Sequence, residues 1–255
     1  MSSNSNRVAI VTGAGKGSGK IIALRLADDG LDVAVNDVQS NAFALAELVG
    51  EIKAKGRSSS AHVADVSVDG EVKGMVDEVV RTYGKVDAMV ANAGVASYDP
   101  IVELDVQEWD RIMNINARGT FLCYKYAGLQ MMKQGTGGRI VGASSVLEGK
   151  ACLSAYTASK FAIRGLTQSA ALEFGPHNGI TVNAYGPGAV DTEMMGAEYP
   201  EVPREEIINR FKKMSPLGLV GMPDDIASLV SFLVSKDSQF ITGQTISING
   251  GTFFD

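Results

Sequence analysis

The sequence predicts an α/β fold: a doubly wound parallel sheet of seven strands with helices on both faces, in a single domain over residues 1–255. Three observations predict it. Short apolar runs alternate with longer segments of helical periodicity along all 255 residues, which is the order that builds a parallel sheet. The runs are continuous in Val, Ile and Ala, as strands buried on both faces require. The first run ends in a glycine-rich turn, TGAGKGSG, that opens the first helix.

RVAIVT (7–12) is the first strand, and Ile21, Ile22, Leu24 and Leu26 then recur at helical spacing up to Gly30. DVAVND (32–37) is a second strand with a polar stop, followed by a helix from about Asn41 to Lys55. SSSAHVADV (58–66) is the third, with a helix after it to Tyr83, and VDAMVAN (86–92) is the fourth. Pro100 marks a loop before a long helical region, 105–133, that is expected to bend. GGRIVGASS (137–145) is the fifth strand and leads to a helix reaching Phe174. ITVNAYGPG (180–188) is the sixth; a loop with short helical content spans 189–215, a helix 223–235, and QTISING (244–250) closes the sheet. In such a sheet ligands bind at the C-terminal strand ends, near the point where strand order reverses.

Composition excludes several classes. Hydrophobic residues make up 45% and charged residues 20%, with a net charge of −6, so a sizeable core is expected and disorder is not. No Lys/Arg cluster has the density of a phosphate-backbone footprint, which argues against nucleic acid as a partner. Apolar runs are strand-length, so no membrane span is expected. The start, MSSNSNRVAIV, lacks the charged and long apolar regions of a secretion signal, and GTFFD carries no lipidation pattern. Cys123, Cys152, His62 and His177 stand in no metal-ligand spacing, so no metal is expected. A reduced, cytoplasmic protein is the resulting expectation.

Two stretches carry chemistry. In TGAGKGSG, Gly13, Gly17 and Gly19 let the backbone approach a pyrophosphate closely, with Lys16 and Ser18 in the same turn. The helix that follows offers unpaired N–H groups and the positive end of its dipole. Asp37 ends the second strand, where an acid can accept from the ribose hydroxyls of adenosine and repel a 2′-phosphate. That favours NAD over NADP. Lys16 pulls the other way, since a cation there could pair with that phosphate. The second stretch, YTASK, sets Tyr156 and Lys160 one helical turn apart on one face. A phenol has a pKa of about 10, and an ammonium held beside it stabilises the phenolate and lowers that value. The pair is a proton-transfer device if a hydride carrier sits nearby.

With TGAGKGSG, ANAG (91–94), NARG (116–119), ASS (143–145), YTASK (156–160) and YGPGAVDT (185–192) in order, the chain resembles the short-chain dehydrogenase/reductase family over essentially its whole length. The resemblance implies a Rossmann-type fold and a role for each matching residue. Tyr156 is the acid/base, and Lys160 tunes it and holds the nicotinamide ribose. Ser145 holds the substrate oxygen, with Ser144 the alternative because Ser145 stands closer to Tyr156 than is usual in the family. A loop shortened over VLEGKACL (146–153) would account for that spacing. Asn116 bends the long helix and helps hold a relay water. Asp65 and Val66 contact adenine, Asn92 to Gly94 pass the cofactor, and Pro187, Gly188, Val190 and Thr192 wall the nicotinamide.

AIRGLTQSAA (162–171) and VNAYGPGAVDT (182–192) are similar to phrases of the diacetyl/acetoin reductase and 2,3-butanediol dehydrogenase type. Val146, Cys152, Leu153, Met194, Met195, Tyr199 and Phe211 are the candidate pocket walls. They are mostly apolar, which suits a small neutral carbonyl or secondary alcohol. Sugar, polyol and 3-oxoacyl substrates stay open within the family, and a non-catalytic nucleotide sensor outside it. The helices 105–133 and 155–174 carry apolar residues on more than one side (Phe121, Leu122, Tyr124, Tyr126; Phe161, Ile163, Leu166). Such helices suggest a second contact surface, and the resemblance implies a homotetramer or homodimer.

Overall fold

The computed structural model describes residues 6–146, 151–197, 199 and 201–254. Seven strands form one parallel sheet: β1 (Val8–Thr12), β2 (Asp32–Asp37), β3 (Ser59–Val63), β4 (Ala88–Ala91), β5 (Gly138–Ala143), β6 (Ile180–Pro187) and β7 (Thr245–Ile248), in the order β3-β2-β1-β4-β5-β6-β7. Register follows the shared apolar runs, with Val11 opposite Val35 and Val90.

Successive side chains along a strand point to opposite faces, and here each face has its own set of helices. Ala9, Val11, Val33, Val35, Val90 and Val141 pack with α1 (Gly17–Asp28), α2 (Ala42–Ala54) and α8 (Pro223–Val234). Val8, Ile10, Ala34, Met89, Ile140 and Val182 pack with α3 (Asp69–Tyr83), α5 (Gly119–Gln134) and α6 (Ser154–Phe174). Burying a Leu or Ile side chain is worth about 1.5–3 kcal/mol. Ile22 and Leu26 of α1, at 0% and 1% exposure, therefore outweigh the exposed Lys20–Glu51 pair, which belongs to a class worth about 0–1 kcal/mol.

The long helical region is one rod with an irregular centre. α4 (Val106–Ile112) runs through a π-helical turn at Met113–Arg118 into α5, and Asn116, where the bend is expected, lies within that turn. The Asp105 carboxylate caps α4 by accepting from Gln107 N at 2.8 Å. Two expectations change. β3 stops at Val63 rather than 66, because residues 64–66 leave the sheet edge to wall the cleft described below. The region 189–215 holds a full helix, α7 (Arg204–Met214), with Glu205 and Glu206 in its first turn and Lys212 and Lys213 in its last, the charge order that suits a helix dipole.

Of the residues expected on a second contact surface, Leu122, Tyr124 and Ile163 are instead buried in the core, whereas Phe121 and Phe161 are exposed, together with Leu129 and Leu172. No helix among the described residues is long and apolar enough to cross a membrane.

Candidate active site

Strand order reverses between β1 and β4, whose neighbours β2 and β5 lie on opposite sides. At their C-terminal ends opens a cleft of about 500 Å³. The glycine turn forms one wall, the ends of β2 and β3 another, and α6 with the segment after β6 the inner end.

The glycines of the turn do different work. A Cβ on Gly19 would lie 2.1 Å from the Gly13 carbonyl oxygen, and one on Gly13 would lie 2.8 Å from Ala93 Cα, so both are needed for packing. Gly17, at φ +55°, faces open groove, with Thr192 Cγ2 the nearest atom at 3.8 Å; this is a cradle for a ligand rather than a packing contact. Gly15, which the sequence reading passed over, donates its N–H to Asp37 Oδ2 at 2.9 Å. Asp37 Oδ1 accepts from Val38 N at 2.8 Å and Asn41 Nδ2 at 3.0 Å, so three donors fix the carboxylate at the rim. Lys16 pairs with Glu193 across the mouth at 2.7 Å, both side chains exposed.

Thr12 ties β1 to β4: its hydroxyl oxygen accepts from Asn92 N at 3.0 Å and Ala93 N at 3.1 Å. The Asn92 amide donates to the carbonyls of Thr12 and Gly13 and accepts from the Tyr185 hydroxyl at 2.8 Å. Asp65 Oδ1 accepts from the Ser67 N–H and hydroxyl. Val66 packs on Gly119, where a Cβ would lie 2.8 Å from Val66 Cγ2.

At the inner end Tyr156 and Lys160 share one face of α6. Lys160 is 5% exposed, its Nζ donates to the Ala143 carbonyl at 2.7 Å, and it lies 5.4 Å from the centroid of the Tyr156 ring. Gly94 leaves room here, since a Cβ would meet Lys160 Nζ at 3.2 Å and Asn116 Oδ1 at 3.3 Å. Ser145 and Tyr156 share a side-chain hydrogen bond. Ser144 instead donates to the Lys160 carbonyl at 3.0 Å, a structural contact. The two serines that spacing left open therefore have different partners.

The electrostatics differ from the simple expectation. Tyr156 is partly open to the cleft but densely surrounded by protein. Burial raises its pKa above the usual phenol value, and the Ser145 bond only offsets this. Burial also lowers Lys160 from 10.5 to about 8. An ammonium over the ring face does not lower the phenol here; loss of hydration dominates both groups. The resting state at pH 7 is thus a neutral phenol beside an ammonium.

All the residues expected to contact a dinucleotide line this cleft, as do Ser145, Leu153, Met194, Met195 and Phe211. Asn116 stands behind it, fully buried. Its side chain pairs with both Val95 N and Val95 O at 2.9 Å and donates to Ser159 Oγ at 2.9 Å, which joins the loop after β4 to α6. Val146 and Cys152, expected as substrate walls, are outside the lining. Val146 is buried under Gly186 and bonds through its N–H to the Pro187 carbonyl, whereas Cys152 is exposed. Tyr199 also lies outside, its ring 5.8 Å from the Arg210 guanidinium. Residues 147–150 of the expected short loop fall outside the described residues.

A family model described as enoyl-(acyl carrier protein) reductase matches residues 13–252. A short-chain dehydrogenase/reductase of Armillaria gallica is 50% identical over 253 residues, covering 98% of this chain and 97% of that protein. The 3-oxoacyl-[acyl-carrier-protein] reductase FabG of Staphylococcus aureus is 42% identical over 247 residues, covering 96% and 97%. The crystal structure of a short-chain type dehydrogenase/reductase from Mycobacterium marinum matches with a TM-score of 0.86 at 31% identity, covering 97% and 95%. The chain belongs to the short-chain dehydrogenase/reductase family, oxidoreductases that act on CH–OH groups with a nicotinamide dinucleotide. The residues present fit such a group: the Gly17 cradle and the helix N–H groups suit its pyrophosphate, and the fixed Asp37 carboxylate suits a ribose diol.

Proposed function

We propose that the protein is an NAD(H)-preferring dehydrogenase/reductase of small neutral ketones and secondary alcohols of the diacetyl, acetoin and 2,3-butanediol kind. The observation that carries this reading is the hydrogen-bonded Ser145–Tyr156 pair beside the buried Lys160, at the end of a cleft walled by Leu153, Met194, Met195 and Phe211. Nicotinamide, when bound, supplies or accepts the hydride. During reduction the Ser145 and Tyr156 hydroxyls hold the carbonyl oxygen and stabilise its growing charge, and Tyr156 gives that oxygen its proton. In oxidation the Tyr156 phenolate takes the alcohol proton. Lys160, protonated at pH 7, keeps positive charge near that phenolate. Asn116 fixes the loop against which Lys160 sits.

Removing an oxyanion donor costs about 10²–10³ in kcat, and that loss is the expected result for Ser145→Ala. Ser144→Ala should lose about 1 kcal/mol of stability and keep kcat within a few fold. Steady-state kinetics and thermal melts on both variants check this; the reverse pattern would move the substrate contact to Ser144.

Preference for NAD rests on Asp37, whose carboxylate is fixed by three donors at the end of β2 and would accept from ribose hydroxyls and repel a 2′-phosphate. Lys16, the cation that could offset it, is engaged by Glu193. Crowding an anion against a carboxylate at this depth costs about 1–3 kcal/mol. The expected kcat/KM is therefore higher with NADH than with NADPH by about 10–100-fold, and a higher value with NADPH would overturn the cofactor reading.

The 42% identity to a 3-oxoacyl-[acyl-carrier-protein] reductase favours a second reading, reduction of 3-oxoacyl thioesters. A panel of diketones, hydroxyketones, diols, sugars and 3-oxoacyl thioesters decides between them. Best turnover on the thioester or on sugars would replace the substrate and leave the reaction class intact. Binding of NADH without turnover of any carbonyl would favour a sensor. The exposed Phe121 and Leu129 of α5 and Phe161 and Leu172 of α6 support a homotetramer or homodimer; the cytoplasm is its proposed location.

A further inference from the structure

We infer that Asn36, a buried asparagine with no assigned role, is the positioning residue of the adenosine half of the cleft. It occupies the penultimate position of β2 and is 1% exposed. A primary amide carries two N–H donors, and here both are used. Asn36 Nδ2 donates to the His62 carbonyl at 3.0 Å and to the Ala64 carbonyl at 3.0 Å. The second bond reaches past the last residue of β3, where ladder pairing has ended. It therefore fixes the course of residues 64–66 as they leave the sheet, and these residues form the adenine-side wall of the cleft.

The same residue reaches the other walls through its backbone. The Asn36 carbonyl accepts from Ala14 N of the glycine turn at 2.9 Å, and the Asp37 carbonyl accepts from Ala64 N at 3.1 Å. Two consecutive residues thus hold three parts of the cleft in register: the phosphate turn, the ribose carboxylate and the adenine wall. Asn36 acts through these groups rather than by touching the reacting atoms. A hydrophobic residue at this strand position would remove both side-chain donors, and the Ala64 carbonyl, which lies past the β3 ladder, would lose the bond that holds it. Among the described residues no group donates to the Oδ1 atom, so within the protein the amide contributes by donation.

The inference rests on the dinucleotide reading. The experiment measures Kd for ADP-ribose and NADH by titration calorimetry, together with kcat at saturating NADH and the best ketone. Asn36→Ala and the similarly sized Asn36→Leu, which removes the donors without adding charge, should raise both Kd values about tenfold, the worth of one to two hydrogen bonds. They should leave kcat within about twofold, since no group at the Tyr156 end changes. Asn36→Ser, which keeps one donor, should fall between them and the unsubstituted protein, and it carries the test if the other two fail to fold. Unchanged Kd values in any folded variant, or a loss of kcat with unchanged ADP-ribose affinity, would overturn the inference. Failure of the unsubstituted protein to bind ADP-ribose would instead sink the dinucleotide reading, and this one with it.

Discussion

Tyr156→Phe is expected to lower kcat by about 10²–10⁴ in either direction, the range set by loss of a general acid/base. Cofactor Kd should stay within a few fold. The substitution removes one oxygen and keeps the ring, so the face that lies 5.4 Å from Lys160 Nζ is retained. The lost hydrogen bond runs to Ser145, whose hydroxyl can turn to the cleft, so stability should change by no more than about 1 kcal/mol. The experiment therefore separates chemistry from folding: a melt near the parent value, normal NADH binding and collapsed turnover. Burial holds the phenol protonated at neutral pH, which suits ketone reduction. A kcat near the parent value would remove Tyr156 from the proton-transfer step and the proposed mechanism with it.

What the sequence made legible was whatever local pattern dictates. Continuous apolar runs located the inner strands, because a strand covered on both faces has no polar side to show; the edge strands β3 (SSAHV) and β7 (TISI) are more polar and only partly buried. The motif residues converged on one cleft, since a turn after β1 and a turn after β4 must meet at the reversal of strand order. Three things stayed hidden. α7 looks in sequence like loop with short helical content because only Ile207 of its eleven residues is buried, so its pattern is one of charge more than of hydrophobic period. Val146 follows Ser145 in sequence but turns into the core under Gly186, so adjacency along the chain misplaced it. The state of the Tyr156–Lys160 pair depends on how much water each group loses, and residue type and spacing carry no measure of that. Asn36 reads in sequence as a polar stop to β2; only the pairing of β2 with β3 shows what its amide holds.

Lys160→Met should stabilise the fold while abolishing turnover, and this double result is the sharpest test of why a lysine sits there. The ammonium is buried and donates to the Ala143 carbonyl, and among the described residues no carboxylate offsets its lost hydration. A native pKa of about 8 against 10.5 corresponds to a penalty of about 3 kcal/mol at 1.36 kcal/mol per unit. Methionine fills the volume without that penalty and gives up the charge-assisted bond to Ala143 O, worth about 1.5–3 kcal/mol. The net gain is about 1 kcal/mol, or a Tm rise of about 2–4 °C at pH 7 for a chain of this size. The pH dependence has a fixed sign. Below about 8 the lysine is protonated in both native and unfolded chains, and the whole penalty is present. Between about 8 and 10.5 the unfolded chain binds the extra proton, so the parent protein gains stability as pH rises and the gap to the variant narrows. Melts of both proteins at pH 7 and pH 9.5, paired with kcat, measure all of this. A variant less stable than the parent at pH 7, or a gap that widens with pH, would mean that the buried ammonium is not the strained group described above. A variant that keeps its turnover would show that the charge beside Tyr156 is dispensable.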